Sequence, residues 1–176
     1  MPDVPWGVLF WHLKSHVQVI CFALLFLYSL AGRAAAPERI LSGVLCAMFV
    51  VDRLYHEVSP EPIVWRHTDL MHLCIDTVVL ACTLAVALHA NRVYPLWIGA
   101  AQIIAVSGHA YRVSMMEINR FAYDMMVMMP SYVQLVAMAL GLAFHTWRRR
   151  RRGSYPSWRR SSSHTPPVMR KISRGA

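Results

Sequence analysis

The sequence predicts an all-α fold: an integral membrane helical bundle of five transmembrane helices, followed by a disordered basic tail. Three observations carry this. The 176-residue chain is 56% hydrophobic and 15% charged, with a mean hydropathy of +0.37, whereas a soluble domain is about 25% charged. Apolar segments recur along the chain, separated by short stretches that hold proline and charge. An unbroken basic run, Arg148 to Arg152, follows the last apolar segment. The spans read as about 8–32, 39–56, 69–90, 95–113 and 122–147, so that 1–152 form the transmembrane domain and 153–176 an Arg/Ser/Pro-rich cytoplasmic tail.

The first segment has an apolar stretch from Val17 to Leu30, preceded by Trp6, Trp11, His12, Lys14 and His16. Aromatic and basic groups of this kind gather where a helix leaves the hydrocarbon. Ala34-Ala35-Ala36 resembles a signal-peptide cleavage site, but Asp3, two Trp residues and Arg33 argue against cleavage. Pro37-Glu38 opens the second segment, proline fitting a first helical turn and the acid the positive dipole end. The uncharged part, Ile40 to Val51, is short for a span of about 20 residues, so Asp52, Arg53 and His56 must enter its last turns. A Pro-containing loop over 58–67 leads to Thr68, a fitting N-cap for the third segment, with Asp69 in its first turn. Asn91, Arg92 and Tyr94-Pro95 mark the restart into the fourth. In the fifth, Pro130 should kink the helix and free a carbonyl about four residues earlier, with Ser131 placed to compensate.

Five spans put the two termini on opposite sides, and charge then separates. The tail side collects Arg33, Arg39, Arg92, Arg148 to Arg152, Arg159, Arg160, Arg170, Lys171 and Arg174, with Glu38 as its single acid. The other side holds five basic residues and eight acids. This bias predicts a cytoplasmic C-terminus and an outward-facing N-terminus. The net charge of +9 therefore argues for anionic headgroups, anchored by Arg148, Arg149, Arg150, Arg151 and Arg152, and against nucleic acid. Cys21, Cys46, Cys74 and Cys82 all lie in apolar segments without a CxxC pair and read as small buried hydrophobes.

The same alternation groups most histidines at the outer face. Asp69, His72 and Asp76 recur at i, i+3 and i+7 and share a helix face; Asp52 and His56 are i, i+4 neighbours. Carboxylates and imidazoles entering an apolar helix need a partner, a proton or a ligand. The candidate ligand or metal residues are thus His56, His72, His109, Asp52, Asp69, Asp76 and Asp124, and His72 with Asp76 is the candidate acid/base pair. A structural collar paired with Arg53, Arg66, Arg112 and Arg120 accounts for most of these groups as well. Asp76 fits it least, lying about 10 Å beyond Asp69 along the axis. His72 and His109, on separate helices at comparable depth, are the pair that could ligate haem axially, with His12 or His16 as substitutes. Met115, Met116, Met125, Met126, Met128 and Met129 beside His109 and Asp124 suit copper, though a methionine run covering every helix face reads first as packing. Polar stripes at i, i+7 (Gln102 and His109; Asp124 and Ser131) open one side, while the tail-side halves are apolar, which favours a one-sided pocket over a channel. No nucleophile elbow, phosphate loop, dinucleotide fingerprint or HExxH helix is present.

Several strings together, Ala36-Pro37-Glu38-Arg39-Ile40, Asp52-Arg53-Leu54-Tyr55-His56, His72 through Asp76, Asn91-Arg92-Val93-Tyr94-Pro95-Leu96-Trp97 and Pro130-Ser131-Tyr132, resemble small multi-span membrane proteins of alphaproteobacteria over about residues 20–158. The resemblance implies a bacterial inner membrane and transfers no functional residues. The leading expectation is a non-catalytic membrane protein that binds a membrane-protein partner or helps assemble a complex. The alternatives are a haem- or metal-binding protein with its site at the periplasmic face, and a membrane enzyme using a His/Asp pair.

Overall fold

The computed structural model describes residues 6–32, 34–58, 70–114, 120–153 and 156–159. They form α1 (Trp6–Ala31), α2 (Ala36–Val58), α3 (Leu70–His89), α4 (Tyr94–Ser114) and α5 (Arg120–Arg152). Among the described residues there is no strand, only an isolated antiparallel bridge between Ala90 and Trp158. The five expected segments are thus five helices. Thr68 and Asp69 lie outside the described residues.

The helices close into a ring. Each packs on its neighbour in sequence, and α5 returns to α1 and α2. Cross-helix hydrogen bonds fix the directions. Gln18 and Tyr28 on α1 meet Ser131 and Thr146 on α5, so these two run parallel. Asp52 near the end of α2 meets His72 near the start of α3, and Asp76 in early α3 meets His109 in late α4, so successive helices alternate.

The interior is thin and apolar. Phe22, Leu41, Leu45, Val79, Ile98, Met138 and Leu142 are buried, and the Phe22 and Phe49 rings stack at 4.7 Å. The Tyr94 ring lies so close over Gly141 that a Cβ there would fall 2.7 Å from it. The outward faces are apolar too: Leu24, Leu27, Leu54, Val78, Ile104, Val136 and Phe144 are all exposed. Large apolar side chains are thus exposed on all five helices. Two helical stretches, Leu70–His89 and Met125–Arg152, are long and apolar enough to cross a membrane.

The longest helix, α5, has 33 residues, about 50 Å at 1.5 Å per residue. It exceeds the expected span because the arginine run, Arg148 to Arg152, continues the helix instead of following it. It stops at Gly153, whose φ of 72° is the left-handed conformation that ends helices. Pro130 sits inside α5, and the Ser131 hydroxyl donates to the Met128 carbonyl at 2.6 Å, three residues back, and not to the Met126 carbonyl four residues before the proline. Residues 156–159, assigned by composition to the disordered tail, fold back on the α3–α4 connection. The Asn91 amide donates to the Ser157 carbonyl at 3.1 Å and the Arg159 amide to the His89 carbonyl at 2.9 Å.

Candidate functional site

The bundle has two polar ends. At the end away from the tail, the last turns of α2 meet the first turn of α3. Because Asp52 and His56 stand one turn apart on α2, both side chains reach the same side, where His72 enters from α3. Asp52 Oδ1 lies 2.9 Å from His72 Nε2 and 3.8 Å from His56 Nε2, and the two Nε2 atoms are 3.3 Å apart. Three donor atoms thus converge within 4.8 Å of one another. The side chains retain 34%, 34% and 26% exposure for Asp52, His56 and His72. Tyr55 presents its ring edge-on to His72 at 5.5 Å, and Arg53 reaches His16 at 3.4 Å.

One turn beyond His72, the Asp76 carboxylate turns to a different helix. Its Oδ2 is 3.0 Å from His109 Nε2, and Oδ1 accepts from the Gln102 amide at 3.0 Å. Gln134 donates to Gln102, and the Tyr123 hydroxyl meets His109 Nδ1 at 3.3 Å. A polar chain therefore crosses the interior from Tyr123 to Gln134. His72 and Asp76 share a face of α3 but bind different neighbours, so they do not form the expected pair. The buried His109 has both ring nitrogens engaged, which suits an interhelical strut better than an acid/base group open to substrate. Nor do His72 and His109 face each other as axial ligands would: one is held by α2, the other by α3 and α5. The polar groups expected to line one side are paired across helices instead: Gln134 donates to Gln102, and Gln18 on α1 donates to Ser131.

The opposite end holds a buried ionic group that the sequence does not single out. Glu38 is fully buried and accepts from Arg92 Nε at 3.1 Å, with His145 Nδ1 at 3.5 Å. Arg92 also reaches the Pro156 carbonyl at 3.4 Å, tying the returning tail to the pair. The signal was present: on the expected topology, Glu38 is the single acid on the tail side. An acid in a first helical turn is already accounted for by the helix dipole, so nothing local demands a second partner.

Asp69 and the side chain of Asp124 lie outside the described residues, as do the side chain of His12 and Met115 and Met116. Of the other methionines, Met129 is exposed and Met126 packs at Gly108. The chain matches no protein-family model, no curated protein and no solved structure.

Proposed function

We propose that this chain is a multi-pass membrane protein that binds a divalent transition metal through Asp52, His56 and His72. The convergence of these three donor atoms carries the reading. Zinc–nitrogen bonds of about 2.0–2.1 Å place two tetrahedral ligands about 3.3 Å apart, the separation of the two Nε2 atoms here. Two imidazoles and one carboxylate are also the donor set of non-haem iron. Three protein ligands leave a coordination position open, which fits an exchangeable site better than a closed structural one. Partial exposure supports access for water or for a donor from a partner.

The membrane part of the reading is supported by the two long apolar helices and by the apolar outward faces. The charge bias supports a cytoplasmic tail; in a bacterial inner membrane the metal would then face the periplasm.

Zinc titration of the detergent-purified, chelator-stripped protein tests the metal site. One equivalent should bind. Asp52→Asn, His56→Ala and His72→Ala should each weaken it by more than the roughly 10–100-fold that loss of a residue behind the ligands costs. Unchanged affinity in all three variants would sink the reading.

A further inference from the structure

At the tail end, a cavity of about 790 Å³ opens between the start of α4 and the second half of α5. Its walls are apolar: Trp97, Val136, Leu140 and Phe144 line it and are exposed. Its floor is the Tyr94 ring lying on Gly141. Its rim is cationic, formed by Arg92, Arg148 and Arg159, with no acid in the lining. Even with Glu38 counted against Arg92 behind it, arginines outnumber acids around the rim. Arg159 is on the rim because residues 156–159 pair with the α3–α4 connection.

The lining on α5 runs from Tyr132 to Arg148, a rise of about 24 Å. One leaflet of hydrocarbon is about 15 Å thick, half of about 30 Å. A ligand with a negative head at the arginines and a long apolar stem along α5 satisfies both parts. A free anion has no use for the apolar wall, and a neutral lipid none for the arginines. We infer that this cavity binds one anionic phospholipid, its phosphate held by Arg148 and Arg159 and an acyl chain laid along Val136, Leu140 and Phe144. The inference rests on the membrane reading above and is independent of the metal site at the other end.

Native mass spectrometry of the full chain in detergent micelles, with equal phosphatidylglycerol and phosphatidylcholine, tests it. The wild type should retain phosphatidylglycerol several-fold over phosphatidylcholine. Arg148→Gln with Arg159→Gln should abolish that preference while some lipid is still retained. Val136→Trp, which fills the wall without touching the rim, should cut retention of both lipids. Equal retention of the two lipids by the wild type, or wild-type behaviour in both variants, overturns the site while leaving the membrane reading intact. A lipid-free dimer likewise overturns it, because a second copy then covers the wall. A chain that fractionates without membranes and needs no detergent overturns the membrane reading, and this site with it.

Discussion

The two ends of the bundle hold similar residues under opposite conditions. At one, Asp52, His56 and His72 stand about a third open to solvent, with three donor atoms turned toward a common point. At the other, Glu38 is sealed from solvent and answered by Arg92 and His145 from the chain itself. An open cluster can exchange what it holds, whereas a buried ion pair is committed to its partner, since removing one member leaves an uncompensated charge. The difference separates a group that can take a ligand from one that fixes helix positions.

The contrast is broken most directly by Glu38→Ala. Stranding Arg92 in the interior should cost about 3–5 kcal/mol, read as a large fall in the unfolding midpoint of the detergent-purified protein. A midpoint within a degree or two of wild type would mean that the pair is not committed after all. The open end should respond differently. Asp52→Asn should leave the metal-free midpoint nearly unchanged, while removing the stabilisation of about 2.7 kcal/mol that zinc at a hundred times its dissociation constant gives the wild type. A variant still stabilised by zinc would erase the distinction between the ends. Asp76→Leu strands His109 and Gln102 and should cost about 1–3 kcal/mol. Gly141→Ala pushes on the Tyr94 ring and should cost a similar 1–3 kcal/mol, measured as the same midpoint shift. The smallest effect belongs to Ser42→Ala. Its hydroxyl meets Ser29 across α1 and α2 at 2.9 Å, a class of contact that averages about 0.6 kcal/mol in a membrane.

The five helices were legible because apolar length, proline and charge are local properties. That Asp76 would need a partner was legible too, since a carboxylate on an apolar helix demands one. Its partner was not. His72 lies four residues away on the same face, but the rotation of α3 against α2 and α4 decides which neighbour each side chain meets, and that rotation depends on packing across the whole ring. Glu38 was hidden for a related reason: its local sequence explains it completely, and Arg92 and His145 reach it from far along the chain. Trp158 and Arg159 were hidden by composition. A polar, arginine-rich stretch reads as disordered, and backbone pairing with residues 89–91 leaves no pattern in side-chain hydropathy.

The ion pair also sets an order of assembly. Glu38 lies 54 residues ahead of Arg92, and His145 emerges only with the last helix. During synthesis, the Glu38 carboxylate therefore lacks the two partners that meet it in the fold until the later helices have been made. A product truncated before Arg92 would keep Glu38 without either of the side chains that meet it in the finished bundle.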